Sequence, residues 1–419
     1  MDRRSYLVGV GAAASAVAGC LGSTADGPAA DPAGVTVETV SDGLSNPWGL
    51  AFLPDDGRLV VTERDTGQVV LVDRETGDRT DVEGVPAVDP AGQGGLLDVA
   101  IHPEFPTESW LYLTYAATND AGESTTHLGR GRLDPAAGRL SAFEVLHAAE
   151  PFLDRDNHYG SRVVFGNDGR LYVSIGDRQF KDFGPDHVAQ DRTNDLGTIL
   201  RFEPDGSIPD DNPFVDSEER SSSGSRTQSG DSDERSSSGS RATPGDDSDA
   251  RDAIYSYGHR NPQGLAVHPE TGALWASEHG ERDGDELNVI EAGGNYGWPV
   301  ATYACEYGTD QPVGDSPDER EDLVAPVYYW ECGTGGFPPA GMTFYNGPIS
   351  EWQGDLFVGN LAGTYLGRFT VDGTDVTERE PLLDGRGWRM RAVATAPDTG
   401  HLYAAVDAGD APIVRLVPE

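Results

Sequence analysis

One phrase recurs along this chain: a small or glycine-containing lead-in, an apolar strand, a turn such as "PDDG", and a second apolar strand. It reads "NPWGLAFLPDDGRLVVTER", then "GGLLDVAIHPEFPTESWLYLTYA", "HYGSRVVFGNDGRLYVSIGD", "NPQGLAVHPETGALWASEHG", "PPAGMTFYNGPISEWQGDLFVGNL" and "MRAVATAPDTGHLYAAVD". About six copies at one per ~55 to 65 residues is the length that a four-stranded propeller blade with long loops needs. Short apolar runs with two-residue alternation lie between Gly, Pro, Asp and Asn clusters, and no long amphipathic helix interrupts them, so the chain reads as all-β. The predicted fold is a six-bladed β-propeller of four-stranded antiparallel blades. Each blade must pack on its neighbours to bury its faces, so one domain is expected over residues 35–419.

The segment before that domain reads differently. Arg3 and Arg4 precede an apolar Ala/Gly-rich run from Leu7 to Ala18, an order that resembles a twin-arginine export signal over residues 1–20. "AVAGC" resembles a lipoprotein cleavage box, which would leave a lipid on Cys20 as the only membrane contact, with residues 21–34 as a flexible tether. The expectation is an exported protein on the extracellular face of the cell membrane. A second irregular segment, about 216–252, is nearly all Ser, Asp, Glu, Arg and Gly and contains "ERSSSGSR" twice; it is expected to be a disordered loop insertion without a catalytic role. Beyond Cys20, Cys305 and Cys332 remain, enough for one disulfide in an oxidising compartment, and no Cys/His group has zinc spacing.

Acidic residues outnumber basic ones 71 to 30, for a formal net charge of -41. Such a surface repels nucleic acid and anionic membranes, so no nucleic-acid partner is expected. Lys181 is the single lysine; arginine supplies every other basic side chain. The acid excess with so little lysine suggests a halophilic source, where high salt screens the self-repulsion.

Chemistry is sought in the polar loops that lead into blades. His158 in "DNHYGSRVVFG" precedes a strand and can face the channel mouth, although a lone histidine is more often structural. Arg260 and Asn261, in "YSYGHRNPQGLAVHP", hold the equivalent place before the next repeat, where the arginine fork suits a planar anion or carbonyl. Glu278, Asp283, Asp285 and Glu286 crowd a glycine-rich stretch, "SEHGERDGDELNVIEAGGNYGWP", whose hard oxygens suit calcium, without EF-hand spacing.

Taken in order, "NPWGLAFLPDDGRLVVTER", "GQGGLLDVAIHPEF", "NHYGSRVVFGNDGRLYVSIGD", "YSYGHRNPQGLA", "SEHGERDGDELNVIEAGGNYGWP" and "RMRAV" resemble the soluble quinoprotein glucose dehydrogenase and aldose sugar dehydrogenase family. The resemblance implies a propeller that binds pyrroloquinoline quinone (PQQ) and calcium, oxidises the anomeric hydroxyl of aldose sugars to lactones, and passes electrons to a membrane or soluble acceptor. It implies that His158 is the base, that Gln93 lies beside sugar and cofactor, that Arg260 and Asn261 contact the cofactor, and that Arg389 and Arg391 hold its carboxylates. Backbone carbonyls of Gly280 and Glu281 fall at the calcium that touches the quinone; Asp285, Glu286 and Tyr296 fall around a second, structural calcium.

The chain departs from the family pattern in three places. Asn157 stands where glucose-type members carry an Asp before the base, Ala362 stands near where the family carries a cofactor-contacting lysine and this chain has none, and an insertion with Cys332 lies at the expected substrate wall, where Trp330 is either a wall residue or a blade residue. The competing reading is a non-catalytic propeller that kept the scaffold and binds a carbohydrate or protein.

Overall fold

The computed structural model describes residues 31–32, 34–215 and 250–419. The export signal, Cys20, most of the tether and residues 216–249 of the predicted insertion lie outside the described residues. The tether's last part is held in place: Asp31 accepts the Val37 N–H at 3.0 Å and pairs with Arg386. Arg251, placed by sequence in the insertion, pairs with Glu150 at 2.9 Å and Asp195 at 2.6 Å and so belongs to the ring.

The described strands form six four-stranded antiparallel sheets, as predicted. Their first strands are β2 (Pro47–Phe52), β6 (Leu96–Ile101), β10 (Val163–Phe165), β14 (Pro262–Val267), β18 (Pro339–Phe344) and β22 (Met390–Thr395), and these touch one another in sequence around the axis, β22 returning to β2. Each copy of the repeated phrase is the first two strands of one blade. The ring closes through β1 (Val35–Leu44), which pairs with β24 (Ala411–Pro418) and completes the last blade from the other end of the chain.

Second strands such as β11 (Leu171–Ile175), β19 (Leu356–Asn360) and β23 (Leu402–Val406) are buried along their whole length. Each is sandwiched between neighbouring blades, so both faces are apolar and strict alternation is lost. The six large apolar clusters accordingly lie between successive blades; Leu59 and Val61 of the first blade, for example, meet Tyr403 and Ile413 of the last.

Arg162, at the head of β10, crosses the axis. Its guanidinium donates to the carbonyls of Gln263 (2.6 Å) and Arg391 (2.8 Å), reaches that of Trp48 (3.4 Å), and pairs with buried Asp98 at 3.1 Å. One side chain thereby ties together the inner strands of five blades. It stands between two cavities: one of about 400 Å³ lined by Asp98, Phe165, Phe344 and Thr395, and one of about 240 Å³ lined by Trp48, Gln263 and Arg391.

Candidate active site

In an antiparallel blade, the loop into the first strand and the loop joining the second to the third emerge at the same end of the ring. His158 and Arg260 lie on loops of the first kind; Asp177, just after β11, and Gly280, just after β15 (Leu274–Glu278), lie on loops of the second. The fold therefore gathers residues 19 to more than 100 positions apart at one mouth.

His158 is buried and left-handed, with φ of 49°. Its Nδ1 lies 2.6 Å from Asp177 Oδ1, and its backbone N–H donates to Gln93 Oε1 at 2.9 Å. Ser161, Arg178 and Gln179 are also left-handed, so non-glycine strain concentrates around this imidazole, a pattern common where geometry serves function. Gly176 permits the approach, since a Cβ there would fall 2.2 Å from the His158 carbonyl oxygen. Buried Arg178 donates to the carbonyl of Asn157 at 3.0 Å and to that of Ser124 at 2.8 Å, fixing the loop on which His158 sits.

Asp177 is the carboxylate that sequence reasoning sought at position 157. Asn157 turns outward to Asp156 at 2.8 Å, whereas Asp177 Oδ2 accepts the Trp298 indole N–H at 2.8 Å and Oδ1 the Gln179 N–H at 2.8 Å. Opposing its own desolvation, the His158 partner and Arg260 hold Asp177 below the usual carboxylate range. Burial, aided by Arg260, lowers the pKa of His158, while Asp177 pulls it the other way, so the imidazole is neutral near pH 7 with Nδ1–H committed to Asp177. That tautomer leaves Nε2 as the basic nitrogen. The only sequence signal for Asp177 was its place at the end of a repeat, in "SIGD".

Gln93, which accepts the His158 N–H, lines the 240 Å³ cavity together with Arg389, Arg391 and Ala362, and with Arg64, Trp48, Gln263 and His279, none of which was nominated from sequence. Three arginines thus line one small cavity of a strongly acidic protein. Arg391 is buried, donates to Gln263 Oε1 at 2.8 Å and pairs with Asp407 at 2.7 Å; burial brings its pKa down to about 10. Arg389 is half-exposed and lies 3.5 Å from Asp407. His279 is kept neutral by burial, with a pKa down to about 3, and its Nε2 is 2.6 Å from the Pro339 carbonyl. Arg260 donates to Glu281 at 2.7 Å and to the His279 carbonyl at 3.2 Å, 5.2 Å from the Trp298 ring. Buried Arg260 Nε, Asn261 Nδ2 and Arg391 Nε have no protein acceptor among the described residues. Unpaired buried donors are costly, and here they suit an oxygen-rich anionic ligand.

The candidate metal residues divide. Glu281 places its side chain on Arg260 and Lys181, so its backbone carbonyl and that of Gly280 are the groups left to offer a cation. Both Asp285 oxygens accept backbone N–H groups, from Gly280 at 3.0 Å and Phe337 at 2.7 Å. The Tyr296 hydroxyl is committed to the Val289 carbonyl at 2.6 Å. Glu286 instead faces Glu278 across the β15 pairing, with Asn288 between them and its Oδ1 unpartnered. Burial pushes both carboxyls up, Glu278 to about 8, and the Glu278 charge adds to the rise at Glu286. Among the described residues no three His, Cys, Asp or Glu side chains form a metal cage, so the donor set fits a cation only with carbonyl and amide oxygens included.

Cys305 and Cys332 form a disulfide that holds the loop beside the site. Trp330 is a blade residue, stacked on Phe337 with centroids 4.4 Å apart and packed on Phe369.

The sequence profile of the glucose / sorbosone dehydrogenase family matches residues 44–238 and 234–415. The chain belongs to that family. As a glucose / sorbosone dehydrogenase family member it is an oxidoreductase, built on a six-bladed propeller. It is 35% identical over 394 residues to the aldose sugar dehydrogenase of Escherichia coli, covering 93% of this chain and 94% of that one. It is 31% identical to quinoprotein glucose dehydrogenase B of Acinetobacter calcoaceticus, over 88% and 85% of the two chains. The PQQ-bound aldose sugar dehydrogenase of Streptomyces coelicolor superposes with a TM-score of 0.69 at 30% identity, covering 93% of this chain and all of that one.

Proposed function

We propose that this protein is a PQQ-dependent aldose sugar dehydrogenase that oxidises the anomeric hydroxyl to the lactone, and that it works outside the cell, held by a lipid on Cys20. The observation that carries the reading is the cavity of three arginines, joined through Gln93 to the His158–Asp177 pair, in a chain of net charge -41. A polyanionic, planar cofactor explains why arginines converge there. Sugar oxidation accords with the names of the relatives in E. coli and A. calcoaceticus.

Arg389 and Arg391 would hold the cofactor's carboxylates, and Arg260 and Asn261 its carbonyl oxygens. Bound there, PQQ supplies the two-electron acceptor that no side chain can be. His158 Nε2 takes the hydroxyl proton. Asp177 fixes the tautomer and stabilises the imidazolium that results. Arg260 contributes positive potential without reorganising, because Glu281 and the His279 carbonyl already hold it. Gln93 positions the base through the His158 N–H. The carbonyls of Gly280 and Glu281 would hold a calcium ion at the cofactor, and Glu278, Glu286 and Asn288 a structural one, their oxygens being hard donors. Electrons then leave to a membrane or soluble acceptor.

The test is reconstitution of the mature protein with calcium and PQQ in high salt, followed by dye reduction across a panel of aldoses. Failure to bind the quinone would overturn the reading. His158→Ala should bind PQQ within about threefold of wild type while kcat falls by at least about 10²; retained turnover would remove His158 as the base.

A further inference from the structure

The single lysine among the chain's 30 basic residues sits at this mouth. Lys181 follows Asp177 on the same loop, and its ammonium contacts both carboxylate oxygens of Glu281. Glu281 is buried, with a side chain 3% exposed, and it also accepts Arg260 Nη2 at 2.7 Å. One buried carboxylate is therefore shared by a cation aimed into the site and a cation reaching in from solvent, the Lys181 side chain being 45% exposed.

We propose that Lys181 and Glu281 are positioning residues that set the net charge Arg260 presents to the cofactor. An isolated Arg260–Glu281 pair is neutral and projects little field; with Lys181 on the same carboxylate, the three groups together carry one positive charge. No second carboxylate bonds the Arg260 guanidinium, because Nη1 meets a backbone carbonyl and Nε is unpartnered, and the nearby Asp177 carboxylate is engaged by His158 and Trp298. Lysine suits this place better than arginine. A compact ammonium can meet both oxygens of Glu281 without a planar fork that competes with Arg260 for the same edge. Salt screens the half-exposed Lys181 ammonium more than the buried Arg260–Glu281 pair, so the effect is largest at low salt.

The inference rests on the proposed binding of PQQ, and it is tested by titrating PQQ into calcium-loaded protein and following tryptophan fluorescence. By charge alone, Lys181→Met removes the surplus and weakens PQQ binding about tenfold, whereas Glu281→Gln adds a charge and tightens it by about as much. The double variant returns to within about threefold of wild type, and Lys181→Arg stays within that range. Thermal melts identify any variant that fails to fold, and Lys181→Met, at a half-exposed position, then carries the comparison with Lys181→Arg. If Glu281→Gln weakens binding as Lys181→Met does, or if neither moves it, the charge-setting role is wrong while the dehydrogenase reading stands. If the wild type itself binds no PQQ, both fall.

Discussion

Asp177 meets the Nδ1 of His158 at 2.6 Å, with both side chains withdrawn from solvent and the carboxylate anchored on its far side by Trp298. A buried imidazole without such a partner would be a weak base in an undefined tautomer. With it, the ring is oriented and the developing imidazolium has a counter-ion.

The pH dependence follows from this pair. Burial and Arg260 place the folded pKa of His158 below its ordinary value of 6.5, so the neutral, active form persists as pH falls through 6.5 and kcat declines only below that point. Asp177→Asn removes the group that raises the pKa. The acid limb should move to still lower pH, and the plateau should drop by about 10² to 10⁴ through loss of the tautomer. A pH–rate profile of dye reduction for both proteins checks the two displacements; an acid limb moving upward would contradict the assignment.

Gly176→Ala should act on the same geometry. A Cβ within 2.2 Å of the His158 carbonyl forces the strained turn aside. The expected result is a loss of kcat of about tenfold or more, since small misplacements of catalytic groups are expensive. The thermal midpoint should fall by only a few degrees, for a local cost of about 1 to 2 kcal/mol. Steady-state kinetics beside a melting curve separates the two.

Arg162→Met should damage the ring. Asp98 is buried and its pKa is already raised by desolvation against Arg162's pull. Removing the cation leaves an uncompensated charge and three inner-strand carbonyls without their donor, a cost of about 3 to 5 kcal/mol. Chemical denaturation should register that loss. Arg162→Met with Asp98→Asn should recover part of it.

Removing the Cys305–Cys332 bridge should loosen the loop that it closes more than the blades. Arg282 and Cys305 exchange backbone hydrogen bonds at 3.0 and 3.1 Å, so the Gly280–Asp285 loop is coupled to the bridged segment. Closing a 27-residue separation is worth about 3.5 kcal/mol in the chain-entropy account. A Cys305→Ser, Cys332→Ser variant should melt earlier and show faster amide exchange at residues 280–310, with blades remote from that loop unchanged.

The blades were legible because each is encoded locally: an apolar strand, a tight turn and a second strand announce themselves within about 20 residues. His158, Arg260 and Asn261 drew attention because each sits in a loop attached to that phrase, whereas Gln93, Arg389 and Arg391 were named only through the family resemblance. Asp177 and Arg64 were passed over although they lie inside the quoted repeats, since nothing in a strand-end Asp or Arg says which of many acids and bases it will meet. Asn157 drew attention as the missing charge because glucose-type relatives carry an Asp at that place. Adjacency in sequence was the only measure of proximity available, and it pointed outward to Asp156.

What the sequence determined by itself was the number of blades, the all-β class and the end of the ring where polar loops collect, because periodicity and turn chemistry act over short range. The pairing of β1 with β24, the passage of Arg162 through five blades, the carboxylate behind His158 and the sharing of Glu281 between Arg260 and Lys181 were decided only in three dimensions. Each of these joins residues from different repeats, and antiparallel blades arranged in a closed ring bring such residues together at the axis regardless of their separation along the chain.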